Sequence, residues 1–140
     1  MTIKEVSALE TFSFFESNAN SLYIDVRTVG EFSVGRPKIR CANIPVLFKY
    51  PKSDKILENS AFQQVVDHTI NEKDIVTVGS EHNARAQQAA KILLSSGFSK
   101  IWLLVDGHVG WIKAGMPVTK NNRDGVSYAS LLTSTRRSKK

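Results

Sequence analysis

The residues best suited to chemistry in this sequence follow a short apolar run, within 75-IVTVGSEHNARAQQAAKIL-93. A polar loop separates that run from a helical pattern, which Arg85 opens. Backbone N–H groups in such a loop, with those at the start of the next helix, attract anions such as phosphate, sulfate or a carboxylate. Arg85 adds a fork of donors, whereas the charge of Glu81 works against anion binding. The predicted anion-binding loop comprises Ser80, Glu81, His82, Asn83, Ala84 and Arg85.

The elements that must position this loop alternate between strand and helix. Residues 75–78 are compact and β-branched, which is typical of a strand buried on both faces. Residues 83–96 carry apolar side chains on one helical face, and further strands are predicted at 22–26 and 100–105. This alternation predicts an α/β sandwich with a mostly parallel central sheet. Sites in such sheets lie beyond the carboxyl ends of the strands, where the loop is expected.

Shorter signals define the rest of the chain. Residues 43–47 are predicted to form a short edge strand, because Pro45 cannot donate to a strand ladder. Residues 35–42 and 50–59 are predicted to be irregular. Two helix starts are marked by capping boxes, in which a hydroxyl residue precedes a glutamate by three positions: Ser7 with Glu10, and Thr28 with Glu31.

Length and charge predict one domain with a basic tail. A chain of 140 residues suits one domain, which we place at residues 1–118. Residues 119–140 are predicted to form a basic, flexible tail that carries +5 of the net charge of +6. A small apolar island at residues 126–132 could dock part of this tail on the domain. The tail could contact polyanions weakly. Six more bases between residues 36 and 55 face one acid, Asp54, and form either a basic patch or a solvated face.

The remaining composition restricts compartment and cofactors. No apolar run approaches the length of a membrane span, and the first residues lack the pattern of a secretory signal. The single cysteine, Cys41, excludes an intrachain disulfide. We therefore expect an intracellular protein with no membrane contact, in the cytoplasm or alternatively in an organelle. We expect neither a cofactor nor a metal.

Three segments resemble signatures of rhodanese-homology domains, and they occur in order between residues 3 and 118. The resemblance implies a rhodanese-like three-layer sandwich with a five-stranded sheet. The segments are Asp25-Val26-Arg27-x-x-x-Glu31-Phe32, the stretch from Gly35 to Pro45 that ends Ala42-Asn43-Ile44-Pro45, and Gly97-Phe98 followed by Leu104-x-x-Gly107-x-x-x-Trp111-x-x-x-Gly115-x-Pro117-Val118.

The resemblance also implies a catalytic cysteine at the head of the loop, and this chain has none there. Counting back from Arg85 by the common family length places Ser80 at that position. The loop of the related cell-cycle phosphatases, one residue longer, places Gly79 there. Sulfur transfer from thiosulfate needs a thiolate that holds the sulfur as a persulfide, which neither residue can supply. Asp25 and Arg27 are expected to support the pocket by hydrogen bonds and ion pairing.

The predicted function is therefore a catalytically inactive rhodanese-homology domain that acts as a protein-interaction or regulatory module. Its partners would be an unidentified protein and a small anion such as phosphate, sulfate or thiosulfate. One alternative is an atypical thiosulfate sulfurtransferase that depends on Cys41, which is expected at the opposite end of the sheet. The other is a phosphatase-like hydrolase that uses the loop 79–85, with His82 as the base for Ser80. Trp111 is predicted to be core, and His108 to be exposed.

Overall fold

The computed structural model describes residues 2–50, 52–123 and 126–137. The helices are α1 (Ala8–Ser17), α2 (Val29–Val34), α3 (Phe62–Thr69), α4 (Ala84–Ser95), α5 (Gly107–Lys113) and α6 (Tyr128–Arg137). The strands are β1 (Thr2–Val6), β2 (Leu22–Asp25), β3 (Arg36–Pro37), β4 (Cys41–Asn43), β5 (Leu47–Lys49), β6 (Ile56–Glu58), β7 (Val76–Gly79), β8 (Lys100–Leu104) and β9 (Val118–Thr119).

The central sheet has five strands in the order β1-β8-β7-β2-β4. Each neighbouring pair in it is parallel. The prediction of an α/β fold with a parallel five-stranded sheet is therefore confirmed. β7 occupies the centre, and its four residues are buried, as its β-branched composition predicted. Parallel strands end at the same edge, so the loop after β7 lies at the carboxyl edge, next to the end of β2.

Alternate residues of the strands face two apolar cores. Ile24 and Val78 contribute to the core beneath α3, α4 and α6. Tyr23 and Leu104 contribute to the other core, beneath α1, α2 and α5. Trp111 is completely buried in that second core, as predicted, and its indole N–H donates to the Pro117 carbonyl at 2.7 Å. The two cores cover both faces of the sheet, which is the three-layer arrangement.

Helix starts follow the capping signals of the sequence. Both predicted capping boxes are present, with the hydroxyl of Ser7 accepting from the Glu10 N–H and that of Thr28 accepting from the Glu31 N–H. In return, each glutamate carboxylate accepts the N–H of its capping residue. The second box matters for the site, because it places Glu31 at the start of α2, directly after β2.

Pairing between short segments was not predicted. The edge strand β4 begins at Cys41 and ends before Pro45, whereas we predicted residues 43–47. The stretch predicted as irregular after Val34 contains β3, which pairs antiparallel with β9. The predicted polar loop at 50–59 includes most of a hairpin between β5 and β6. These strands have two or three residues each, too few for their pattern to be detected in the sequence.

The segment predicted as a flexible, partly docked tail contains α6 and packs on the domain, so the flexibility predicted for it is wrong at residues 126–137. Tyr128 and Leu131 are buried in the core beneath α3 and α4. Asn59 donates to the Tyr128 hydroxyl at 3.0 Å, and the Asn43 N–H of β4 donates to the Val126 carbonyl at 2.8 Å. Residues 138–140 of the predicted tail lie outside the described residues. None of the helices in the described ranges has the length and apolarity needed to cross a bilayer.

Candidate functional site

The loop after β7 is held in place by the start of α5. The Ser80 carbonyl accepts from the His108 N–H at 2.8 Å, and the Glu81 carbonyl accepts from the Val109 N–H at 3.1 Å. Gly107 permits this contact, because a Cβ there would collide with the carbonyl oxygens of Glu81 and His82. Its φ of +66° also favours glycine. The shape of the loop is thus fixed by protein contacts.

Only one of the two predicted nucleophile positions has room for a side chain. A Cβ at Gly79 would collide with the Tyr23 hydroxyl, so this position requires glycine. Ser80 is 1% exposed, and its Oγ accepts from the Ala86 N–H at 3.1 Å. The Ser80 hydroxyl therefore holds the first turn of α4, as a capping side chain does.

His82 is placed apart from Ser80. The His82 side chain is exposed to solvent, whereas the Ser80 hydroxyl is buried and is engaged by Ala86. A general base must lie within hydrogen-bond reach of the group that it activates. The Ser80–His82 pair that a hydrolase would require is not formed.

The loop retains unpaired backbone donors. Within the described chain, the N–H groups of residues 81 to 85 donate to no protein acceptor, whereas the next N–H, that of Ala86, donates to Ser80. Consecutive free N–H groups at a helix start are the elements of an anion-binding loop. The side-chain oxygen of Asn83 is also buried without a hydrogen bond. The loop residues named from the sequence are thus brought together around these donors.

The cations beside the loop are already compensated by carboxylates. Arg27 is 3% exposed and pairs with Asp25 at 2.9 Å and with Glu81 at 3.3 Å. It also donates to the Gly35 carbonyl at 2.7 Å. Burial acts to lower the pKa of Arg27, but the hydrogen bond and charge of Asp25 outweigh it and raise that pKa. Asp25 and Arg27 therefore tie the end of β2 to the loop and to the segment after α2.

Arg85 is likewise paired, with the glutamate of the second capping box. Its two terminal nitrogens donate to the two carboxylate oxygens of Glu31 at 2.6 and 2.9 Å. Partial burial acts to raise the pKa of Glu31, but the hydrogen bonds from Arg85 and Thr28 lower it to about 2. The bidentate pair ties α2 to the first turn of α4.

This pairing predicts that Glu31 stabilises the fold more than Glu10, which occupies the same place in the other capping box but has no arginine partner within the described ranges. We expect Glu31→Gln to lower the free energy of unfolding near pH 7 by about 1–2 kcal/mol more than Glu10→Gln. Urea unfolding of the two variants and the unmodified chain measures the difference.

The same comparison has a defined pH dependence. The pKa of Glu31 is about 2 in the folded chain and 4.5 as the reference value, so the unfolded state binds the proton first. The stabilisation is complete above pH 4.5 and is lost as the pH falls from there toward 2. The gap between the two variants should close over that window. A gap that persists at the lowest pH would show that the ion pair is not its origin.

A pocket of about 370 Å³ opens beside the loop. Its polar lining includes Arg27, Glu31 and Glu81, and His108 forms part of its wall. His108 is 6% exposed, so the prediction that it is exposed is wrong. Burial, followed by the charge of Arg27, lowers its pKa, and its Nδ1 is buried without a hydrogen bond. The sequence could not show this burial, because it depends on contacts between α5 and the loop.

Cys41 lies away from the loop. It is the first residue of β4 and pairs with Tyr23, two residues before the end of β2. Burial raises the pKa of the Cys41 thiol to about 12, despite the guanidinium of Arg36 at 3.2 Å from the sulfur. The thiol is therefore protonated at neutral pH and is not a ready nucleophile. The described residues include no group of three or more His, Cys, Asp and Glu side chains that could hold a metal.

The sheet, the loop at its carboxyl edge and the helix that opens from the loop define an α/β domain of the rhodanese type. Residues 15–114 match the profile of the rhodanese-like domain family. The chain belongs to this family.

Curated relatives and solved structures agree with this assignment. The chain is 30% identical over 102 residues to Rhodanese-like domain-containing protein 15, chloroplastic, of Arabidopsis thaliana, across 73% of this chain and 54% of the relative. It is 31% identical over 99 residues to thiosulfate sulfurtransferase 16, chloroplastic, of the same plant. This alignment covers 71% of this chain and 80% of that relative. The chain thus spans about half the length of the first relative. The crystal structure of the Alr3790 protein from Anabaena sp. has the same fold, with a TM-score of 0.66 at 16% identity over 96% of this chain and 90% of that one.

Proposed function

We propose that this chain is a non-catalytic rhodanese-like domain that acts as a protein-interaction or regulatory module through the pocket beside the loop. The observation that carries the proposal is the position of Ser80. Its hydroxyl occupies the head of the loop and is used by the Ala86 N–H. The family's sulfur chemistry needs a thiolate at such a position. The only thiol of the chain, that of Cys41, is buried and has a pKa raised to about 12.

The rim of the pocket supports a protein as the partner. Val34, Ile112 and Val118 line the pocket, and they are 72%, 56% and 48% exposed. Exposed apolar side chains with polar residues around them are a common feature of protein-binding sites. We propose that a partner segment places an apolar side chain against this rim. The free N–H groups of residues 81 to 85 would then receive an acidic group of the same segment.

Small anions are the other proposed ligand of the loop. Phosphate, sulfate or thiosulfate could accept hydrogen bonds from the same N–H groups. Glu81 and Glu31 already compensate the nearby arginines, so the side chains add little attraction for an anion. We therefore propose weak anion binding, in which the backbone contributes more than the arginines. We also propose an intracellular, reducing compartment, cytoplasmic or organellar; two relatives are named as chloroplastic.

A turnover assay tests the non-catalytic part of the proposal. The full-length chain is incubated with thiosulfate and cyanide, and thiocyanate is measured beside a chain carrying Cys41→Ser. We expect both chains to remain at the level of a protein blank, because the Cys41 thiol is buried and protonated. Turnover well above the blank that disappears in Cys41→Ser would overturn the proposal in favour of a Cys41-dependent sulfurtransferase.

Co-purification tests the interaction part. The full-length chain is used as bait beside a double variant, Val34→Asp/Ile112→Asp, which places charge on the pocket rim. Ile56→Asp is the matched control, because Ile56 is 60% exposed but lies on the β5–β6 hairpin. We expect a partner that binds the unmodified chain and the control to be lost with the double variant. Retention of every bound protein by the double variant would contradict the pocket as the interaction site.

A further inference from the structure

A second pocket, of about 620 Å³, lies on the other side of the β3–β9 ladder from the loop. Val118 lines the pocket beside the loop, whereas its neighbour Thr119 lines this one. The two pockets share no lining residue among those described. The second pocket sits against the start of β4, where Cys41 forms part of its wall. Its volume is within the range of small-molecule sites, which is about 300–1,000 Å³.

The lining of this second pocket is strongly basic. Arg36, Lys38, Arg40 and Arg123 line it, and the lining includes no aspartate or glutamate among the described residues. Lys38, Arg40 and Arg123 are exposed, and none of them forms an ion pair within the described chain. Four cations around one cavity create a positive potential, which a small anion would neutralise.

Arg36 is a buried cation of this pocket, and it has no carboxylate partner among the described residues. Its side chain is 6% exposed, and its guanidinium donates to the carbonyls of Asn121, Pro37 and Ile39 and to the sulfur of Cys41. These acceptors carry no formal charge when the thiol is protonated. A buried cation is costly unless it is paired.

The other buried or half-buried arginines of the described chain are each paired with a carboxylate. Arg27 pairs with Asp25 at 2.9 Å, and Arg85 pairs with Glu31 at 2.6 Å. Arg36 is fixed by neutral oxygens, and its charge is left without a counter-charge among the described residues. The difference between Arg36 and the two paired arginines indicates that an anion from outside the chain supplies the counter-charge at Arg36.

The rest of the wall determines what kind of anion fits. Leu22, Ile39 and Val126 add apolar surface to the lining. Inorganic phosphate alone would leave that surface in contact with water. We propose that the pocket binds a phosphate monoester of a small organic molecule, with the phosphate among the four bases and the organic group against the apolar wall.

Amide NMR titration with phenyl phosphate tests this site. In the full-length chain at low salt, we expect saturable shifts at residues 36–41 and 119–123. Inorganic phosphate should shift the same amides with lower affinity, because it makes no apolar contact. Equal affinity for the two probes would contradict the organic part of the proposal. The absence of saturable shifts at these residues would overturn the site, and shifts confined to residues 81–85 would do the same, by placing the anion in the loop.

Matched charge variants separate a site from a general attraction of anions to a basic protein. Lys38→Gln/Arg123→Gln removes two exposed bases of the pocket and should weaken phenyl phosphate binding roughly tenfold. Lys91→Gln/Lys100→Gln removes the same charge from exposed positions outside the pocket lining. We expect affinity within about twofold of the unmodified chain, because exposed charges outside the lining are screened by salt. Equal weakening by the two double variants would contradict a specific site.

Alkylation of Cys41 provides an independent test of phenyl phosphate binding in this pocket. Cys41 is the only cysteine of the chain, so the incorporation of iodoacetamide reports on how often the structure opens around this one thiol. Saturating phenyl phosphate should slow the reaction severalfold in the unmodified chain, by covering the thiol and by stabilising the closed pocket wall. An alkylation rate that is unchanged under saturating phenyl phosphate would contradict binding in this pocket.

Discussion

Replacing Ser80 with cysteine is expected to give this chain a thiol of low pKa and measurable thiosulfate sulfurtransferase activity. Ser80 lies at the head of a loop whose next five N–H groups, at residues 81 to 85, have no acceptor in the described protein. Its Oγ already accepts from the first turn of α4. A thiolate at this position would receive the same hydrogen bond and the charge of the helix start. We expect these two effects to outweigh burial, which acts to raise the pKa because Ser80 is 1% exposed. Thiols at helix starts titrate at about 3.5–7.5, compared with about 8.5 for a free cysteine.

The measurement is best made in a chain that also carries Cys41→Ser, so that one thiol is present. Ultraviolet absorbance of the thiolate against pH gives the pKa, and thiocyanate formation from thiosulfate and cyanide gives the turnover. Gly79→Cys in the same background is the matched control. A side chain at Gly79 collides with the Tyr23 hydroxyl, so this variant is expected to lose stability without gaining turnover.

A normal pKa in the Ser80→Cys chain, together with turnover at the blank level, would be informative. It would show that the N–H groups of residues 81 to 85 do not face position 80. The retained loop shape would then be unsuited to anions as well. Turnover would instead show that one side-chain atom separates this loop from the chemistry of its sulfurtransferase relatives.

Gly107→Ala is expected to cause the largest loss of stability among conservative changes at the site. The φ of +66° at this position is unfavourable for any residue with a Cβ. The added methyl group would also collide with the carbonyl oxygens of Glu81 and His82, which are backbone atoms and cannot move independently. We expect a loss of about 3 kcal/mol or more from the free energy of unfolding.

Gly30→Ala is the matched control for this substitution. Gly30 lies within α2, and a Cβ there has no neighbouring atom within 4 Å. Alanine is favoured over glycine inside a helix by about 0.5–1 kcal/mol, so this variant should be neutral or slightly stabilised. Urea unfolding compares the two. Similar stabilities for both variants would show that α5 does not hold the loop as tightly as its hydrogen bonds indicate.

The fold was predictable wherever a local pattern was long enough to carry a signal. β7 was detected because residues 75–78 form a compact β-branched run, which is typical of a strand buried on both faces, although the strand itself is Val76–Gly79. α4 was detected because its buried alanines and Leu93 recur at helical spacing. α6 has the same kind of apolar face, but its basic and hydroxyl residues resemble a disordered tail. Its place in the structure depends on the contact between Tyr128 and Asn59, 69 residues apart.

The site was only partly predictable for a similar reason. The loop, the missing thiol and the local pair of Asp25 and Arg27 are visible in the sequence, because each involves neighbouring residues. The partners of Arg85 and Glu81 are not, since each ion pair joins residues 54 positions apart. These pairs decide whether the arginines are available to an anion, so a count of charges in the sequence overestimates the anion affinity of the loop.

The hydrogen bond from Asn43 to the Val126 carbonyl has a consequence for the behaviour of the domain in concentrated solution. β4 is the last strand of the sheet, and an open edge strand can recruit a strand from another molecule. Here the segment that leads into α6 covers the edge at Asn43. A strand from another molecule would have to displace this hydrogen bond before it could pair with β4 at Asn43.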